Sequence, residues 1–290
     1  MDYEAQVFGM FGGRDNYVKS IEEIVDFAQI VEGESVLELG CGTGISTSKI
    51  MEKTTRVTAV ELNSQRMRKA RGQLPKGAKL LQKDARDLTK RNGQYDVVMC
   101  INGFHYFKGN QFYEILDKMM TEKGRAVFNV KLESYANQYP SQERIASNLW
   151  KVVVGVRRAV GIPPSEQYID KDWIKSTIKG DTFFVPEKFT IKNKAVKPTY
   201  LSRENMREYQ GYWTKRFRQF LPENALREAI NAKNEKLPCH VVSGVGFAQN
   251  DYSDVNDFVY KQIEMHVSYN SSYPPLVKAD LVVEVERKKK

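Results

Sequence analysis

The chain has 290 residues, of which 41% are hydrophobic, and a formal net charge of +9. This is enough apolar material for one large globular domain or two ordinary ones. No stretch approaches the ~20 consecutive apolar residues of a membrane span, and the N-terminus, MDYEAQVFGM, lacks the layout of a secretory signal, so we expect a cytoplasmic protein.

Charge and cysteines set further limits. Cys41, Cys100 and Cys239 are odd in number and lack CxxC spacing, which predicts reduced thiols with neither a disulfide framework nor a metal site. A basic chain attracts polyanions, but an acidic small substrate suits the charge equally. We interpret much of the excess as scattered, and the dense run ERKKK at 286–290 as a solvated tail.

Helix-like and strand-like segments alternate through the first half of the chain. Apolar periodicity predicts helices at 16–31, 46–53, 64–73 and 111–121, and strands at 36–40, 57–62, 78–85, 96–101 and 125–132. This is the βαβ pattern. It predicts an α/β fold with a mostly parallel sheet and helices on both faces.

After residue 132 this rhythm changes. Residues 135–180 read as helices, the next strand is predicted at 189–201, a helix at 203–234 and a closing strand at 281–285, while 237–277 has no assignment. An insertion of this length commonly covers a site. We therefore divide the chain into a core at 1–132, a mainly helical lid at 133–186, and the rest of the sheet with a further helical insertion at 187–290.

The stretch VLELGCGTGIS, residues 36–46, is a strand that ends in glycines and turns directly into a helix. Bare backbone there lets a nucleotide-like ligand lie close to the carboxyl edge of the sheet. Gly40, Gly42 and Gly44 follow G-x-G-x-G, with Ile45 where the dinucleotide fingerprint G-x-G-x-x-G/A has its third small residue. A pyrophosphate ligand is thus less favoured.

Acidic residues end the next two predicted strands. Glu61 follows at about the ~20-residue interval at which a carboxylate accepts hydrogen bonds from a ribose diol. Asp84 ends the third strand, where a carboxylate can accept from an adenine amine. Singly such acids are more often loop solvators, but their order at successive strand ends indicates a nucleotide site.

Four stretches, VLELGCGTG, VTAVEL, LLQKDARDL and YDVVMCINGFHYF, resemble the successive motifs of class I S-adenosylmethionine-dependent methyltransferases across residues 16–132. The resemblance implies a Rossmann-like seven-stranded sheet whose last two strands form an antiparallel hairpin, with S-adenosylmethionine as the cofactor. It also implies a donor-binding set made of Glu38, Gly40, Cys41, Gly42 and Gly44 beside the methionine, Glu61 on the ribose, Leu62, Asp84 and Ala85 at the adenine, and Ile101 and Asn102 closing the pocket.

Methyl transfer from a sulfonium is an in-line displacement that needs alignment and a nucleophile that loses its proton. His105, in NGFHYF just beyond the fourth strand, is the candidate base, with a packing histidine as the alternative. Tyr106 is a candidate substrate contact. An aromatic stripe at helical spacing includes Tyr212 and Trp213; a core-facing role is simplest, but the two also suit the wall of an acceptor pocket.

The residues just after the fourth strand bear on the identity of the acceptor. Nucleic-acid amino methyltransferases of this class carry Asn/Asp-Pro-Pro-aromatic there, whereas this chain has NGFHY and no RNA-binding signature. The form resembles the group that includes ubiquinone and menaquinone methyltransferases. We expect a small-molecule or lipid-like acceptor; the alternatives are an RNA- or protein-directed methyltransferase, and a non-catalytic nucleotide-binding module or a nicotinamide-dependent oxidoreductase.

Overall fold

The structure is a computed structural model that describes residues 3–107, 110–131, 178–179, 182–183, 185–220 and 276–289. Its α-helices are α1 (Tyr3–Phe11), α2 (Arg14–Phe27), α3 (Ile45–Met51), α4 (Ser64–Gln73), α5 (Gln111–Met119) and α6 (Arg203–Phe220). Its strands are β1 (Val36–Leu39), β2 (Val57–Glu61), β3 (Lys79–Gln82), β4 (Tyr95–Cys100), β5 (Met120–Lys131), β6 (Ile178–Lys179), β7 (Thr182–Phe183), β8 (Phe189–Tyr200) and β9 (Leu276–Arg287).

Seven of these strands form one sheet in the order β3-β2-β1-β4-β5-β9-β8. The pairs β1·β2, β1·β4, β2·β3 and β4·β5 are parallel, and β9 runs antiparallel to β5. The α/β fold and the predicted strands of the first half are confirmed, within a few residues at their ends. Because β2 and β3 extend from one side of β1 and β4 from the other, the strand order reverses at β1, where ligands bind at the carboxyl ends in open α/β sheets.

By proximity in space the chain divides into two units. The sheet unit comprises Val18–Leu132, Asp170–Lys197 and Ala279–Lys290, and the helical unit comprises Met1–Tyr17, Glu133–Ile169 and Pro198–Lys278. This grouping follows contacts, whereas the boundaries expected from the sequence followed chain order. In particular, the first 17 residues group with α6 and not with the core in which the sequence analysis placed them.

The core of the sheet unit is built on strands buried on both faces. All four residues of β1 and all five of β2 are buried, as is usual for parallel strands covered by helices. On α2, Ile21, Ile24 and Val25 are buried at the spacing of one helix face. On α5, Phe112 and Leu116 are completely buried. The apolar faces of α2 and α5 therefore pack into the core, as their amphipathic patterns predicted.

Close helix packing defines the helical unit. A Cβ added to Gly9 of α1 would lie 2.1 Å from Cδ2 of Tyr212 on α6, so only glycine permits this approach. The Asn16 amide donates to the carbonyl oxygens of Phe11 (2.7 Å) and Tyr200 (3.1 Å), which ties the residues after α1 to the end of β8. Helix α1 was not predicted from the sequence.

Three predictions about secondary structure need correction. The helix predicted at 16–31 ends at Phe27. Residues 178–179 were expected to be helical but form β6, which pairs antiparallel with β7. The helix predicted at 111–121 ends at Met119, because Met120 already pairs with Tyr95 at the start of β5. The rest of the predicted lid, and residues 221–275, lie outside the described residues.

Candidate ligand-binding site at the carboxyl edge of the sheet

The turn after β1 leaves open space beside its backbone. Gly40, Gly42 and Gly44 all have left-handed backbone angles, with φ of 76°, 57° and 93°. A Cβ at Gly40 would meet no heavy atom within 4 Å, whereas one at Gly44 would lie 3.0 Å from Cγ of Leu74. Gly44 therefore serves packing between α3 and the end of α4, and Gly40 borders the free volume that a ligand requires.

Glu61 fastens this turn to the neighbouring strand. Its Oε2 accepts the Gly42 backbone N–H at 2.9 Å, and its Oε1 accepts the Asn63 N–H at 2.8 Å. The side chain is buried at the end of β2. Each carboxylate oxygen keeps a second acceptor site, so the same group can hold the turn and still accept from a hydroxyl.

Two residues expected at the site face inward. Glu38 is 1% exposed, and its carboxylate accepts hydrogen bonds from the hydroxyls of Ser46 and Thr47, which join β1 to the start of α3. Burial raises the pKa of Glu38. The Cys41 side chain packs in the interior against Ala59 and Met67, and burial likewise raises the pKa of its thiol. Glu38 and Cys41 therefore support the turn from the interior of the protein.

The ends of β2 and β3 carry the residues expected at an adenine. Leu62 is 63% exposed. The Asp84 carboxylate accepts from the Arg86 guanidinium, with Nε at 2.9 Å from Oδ1, and this pairing lowers the pKa of Asp84. Ala85 opens the 3-10 turn Ala85–Asp87 beside them. Sequence reasoning did not foresee Arg86 as the partner of Asp84.

Beyond β4, a pair of asparagines fixes the backbone. Asn102 adopts a left-handed φ of 55° after the buried Ile101. The side chain of Asn129 on β5 accepts the Asn102 N–H at 2.7 Å and donates to Asn102 Oδ1 at 2.9 Å. Asn129 was missed from the sequence. Its signal is a buried polar residue inside the otherwise apolar run AVFNV.

The 3-10 turn Phe104–Tyr106 separates buried from exposed side chains. Phe104 and Phe107 are both buried, since residues three apart share one face of such a turn. Phe104 stacks on Phe128, with 4.8 Å between ring centroids. His105 is therefore half-buried and Tyr106 is 59% exposed, with their ring centroids 4.1 Å apart.

The parallel pairing places the carboxyl ends of β1, β2, β3 and β4 at one edge of the sheet, so the residues that come after them lie along that edge. Tyr212 and Trp213 belong to the helical unit, where Tyr212 is buried and its ring lies 5.3 Å from that of Trp213. Among the described residues there is no group of three or more potential metal ligands, and no helix is long and apolar enough to cross a membrane.

Comparison with known proteins agrees with this geometry. Residues 36–121 match the family model described as "Methyltransferase domain". The chain is 26% identical over 154 residues to the Bacillus subtilis protein YqeM, named as a methyltransferase, covering 49% of this chain and 60% of that protein. It is 28% identical over 123 residues to a Bacillus licheniformis protein also named as a methyltransferase, covering 40% of this chain and 58% of that one.

A crystal structure of a protein from Bacillus halodurans, also named as a methyltransferase, shares the fold, with a TM-score of 0.51 at 12% identity over 94% of this chain and all of that one. The chain spans less than two thirds of the length of the two curated relatives. These findings show that residues 36–121 are similar to a methyltransferase domain.

Proposed function

We propose that the protein transfers a methyl group from S-adenosylmethionine to a small-molecule or lipid-like acceptor. The observation that carries this proposal is the open glycine turn after β1, held in place by the buried Glu61 at the end of β2. It supports an adenosyl ligand with a ribose at Glu61, because the turn offers backbone without side chains and the carboxylate offers acceptors.

Each of the residues at the carboxyl edge of the sheet binds a different part of the donor. Gly40 admits the methionine part through its open space, and Glu61 accepts from the ribose hydroxyls with its remaining lone pairs. The exposed Leu62 covers one face of the adenine. Asp84 and Ala85 hold the adenine edge, and the amine competes with Arg86 for the Asp84 carboxylate.

Bound S-adenosylmethionine supplies a methyl group on a positively charged sulfur, already activated for displacement. The protein's own part is alignment and removal of a proton from the acceptor. His105 takes that proton, since it comes after β4 at the same edge and histidine is the side chain most often used as a general base. Tyr106, exposed beside it, contacts the acceptor.

The surroundings of Asn102 favour an acceptor other than a base amine. Its side-chain oxygen already accepts from Asn129, and no proline follows it to direct an aromatic ring onto a base. The ubiquinone- and menaquinone-methyltransferase-like group fits this arrangement.

To test this function, the protein is incubated with methyl-labelled donor and cell extract, and the products are separated into small-molecule, RNA and protein pools. We expect label in the small-molecule pool, a large loss of turnover in His105→Ala with unchanged donor affinity, and near-normal turnover in Tyr106→Phe, which keeps the ring. Label confined to a macromolecular pool refutes the acceptor class, and full activity in His105→Ala removes it as the base.

RNA is the second candidate acceptor. One observation favours it: residues 64–92, a single segment of the sheet unit, carry a net charge of +8, against +9 for the whole chain. The RNA pool of the same experiment decides between the two candidates.

A further inference from the structure

Almost all of the net positive charge of the protein lies in 29 consecutive residues. Residues 64–92 contain ten lysines and arginines against two acidic residues, a net charge of +8, while the whole chain carries +9. Our expectation that much of the excess is scattered is therefore wrong. We call residues 64–92 the basic segment.

The basic segment occupies one edge of the sheet unit. It comprises α4, the terminal strand β3, and the 3-10 turns Ala85–Asp87 and Lys90–Asn92. Met67 and Ala70 are buried on α4, so the helix lies on the sheet by its apolar side. Besides Arg86, six of the basic side chains are exposed: Arg68, Arg71, Lys76, Lys79, Lys90 and Arg91.

Few carboxylates within the segment oppose this charge. Helix α4 has no acidic residue. Of the two acids, Asp84 is already hydrogen-bonded to Arg86, and Asp87 is the other. The basic segment thus presents a field of one sign, which attracts a polyanion and raises its rate of association.

The chemistry of the segment selects among polyanions. It contains no aromatic residue, so it lacks the stacking platforms that bind single-stranded nucleic acid. It contributes none of the exposed large apolar side chains among the described residues, so it lacks the apolar area that strengthens the binding of an amphipathic helix to an anionic membrane. Arginine and lysine without these groups suit a phosphate backbone, which guanidinium binds in bidentate fashion.

The position of α4 separates RNA from DNA. Helix α4 lies along the sheet with Met67 and Ala70 buried, so its exposed side offers charged groups suited to phosphates more than to the base edges that are read in a DNA major groove. Double-stranded RNA is instead recognised by its shape and backbone. We propose that the basic segment binds the phosphate backbone of a double-stranded RNA region. This binding is independent of the proposed methyl donor, and it positions an RNA whether or not that RNA accepts the methyl group.

Fluorescence anisotropy with a labelled RNA hairpin of mixed sequence, repeated over a series of salt concentrations, tests the proposal. The test variant is Arg68→Gln/Arg71→Gln/Lys76→Gln. The control variant Lys19→Gln/Lys118→Gln/Lys123→Gln removes the same charge from exposed positions outside the basic segment. We expect the test variant to lose about tenfold or more in affinity and the salt slope to fall by about two to three units, with little change in the control.

Circular dichroism, expected to be unchanged in the test variant, shows that it is folded. An equal loss in both variants overturns the proposal, because net charge alone then explains binding. So does wild-type RNA affinity in the test variant, tighter binding to a DNA duplex of the same sequence, or binding to phosphatidylserine vesicles without binding to RNA. Failure of the wild-type protein to bind S-adenosylhomocysteine contradicts the proposed function. The RNA-binding measurement still tests the present proposal, because it does not depend on the methyl donor.

Discussion

The carboxylate of Glu61 accepts the backbone N–H of Gly42 at 2.9 Å, so the end of β2 fixes the turn that follows β1. The residue expected to bind a ribose therefore also holds the backbone beside which we propose that the rest of the donor binds. One substitution at Glu61 removes both effects. Binding of the donor and order of the turn are thus linked through this side chain.

We expect Glu61→Ala to weaken binding of S-adenosylhomocysteine by about 1 to 3 kcal/mol, because a charged acceptor and the anchor of the turn are both lost. Calorimetry measures the change. The matched control is Asp96→Ala. Asp96 also anchors a turn, accepting the N–H of Ser35 at 2.9 Å and its hydroxyl at 2.7 Å, but it lies at the amino end of β4.

In the control we expect lower stability with normal donor affinity. Equal loss of donor affinity in Glu61→Ala and Asp96→Ala would mean that general destabilisation, and not contact with the ligand, explains the result.

Gly40 and Gly33 offer a second matched comparison at opposite ends of β1. Both have left-handed backbone angles, φ of 76° and 90°, and a Cβ at either would meet no heavy atom within 4 Å. We expect Gly40→Ala and Gly33→Ala to lose similar stability, about 1 to 2 kcal/mol. Only Gly40→Ala should lose donor affinity. Normal affinity in Gly40→Ala contradicts the assignment of the turn.

Asn129→Leu removes both hydrogen bonds to Asn102. We expect the free energy of unfolding to fall by about 1 to 3 kcal/mol, because a backbone N–H in a left-handed turn loses its acceptor. Turnover should fall as well, since His105 follows three residues later. Asn129→Asp keeps the acceptor but loses the donor, so its effect should be intermediate. Full turnover in Asn129→Leu, measured with labelled donor, shows that this turn does not position the catalytic residues.

The ion pair between Glu34 and Arg125 predicts a pH dependence. Hydrogen bonding by Arg125, with Nη1 at 2.6 Å from Oε1, lowers the pKa of Glu34 below its usual 4.5. A lowered folded-state pKa contributes stability that is present above 4.5 and is lost as the pH falls through the folded value. In urea unfolding, Glu34→Gln should be less stable than wild type at neutral pH, and the difference should shrink below pH 4.5. A difference that does not change with pH contradicts this.

Local sequence signals predicted the sheet unit well. Apolar runs bounded by glycine or by acidic residues located β1, β2 and β4, because strands buried on both faces need apolar side chains at nearly every position. Because the ends of these strands were predicted, the acidic residues located there could be predicted too. Glu61 is where that reasoning placed it, at the carboxyl end of β2.

Contacts between residues distant in sequence could not be predicted in this way. The pairing of Asn129 with Asn102 depends on the alignment of β5 with β4, which no local pattern specifies. The packing of Gly9 on Tyr212 joins segments about 200 residues apart. The charge of the basic segment was visible in the sequence, but its location at one edge of the sheet required the strand order.

Titration of the wild-type protein with S-adenosylhomocysteine and with NAD in a calorimeter tests the central claim most directly. We expect saturable binding of one S-adenosylhomocysteine per chain and no binding of NAD. Binding of NAD without S-adenosylhomocysteine would show that the turn after β1 accommodates a dinucleotide and would contradict the proposed methyl donor.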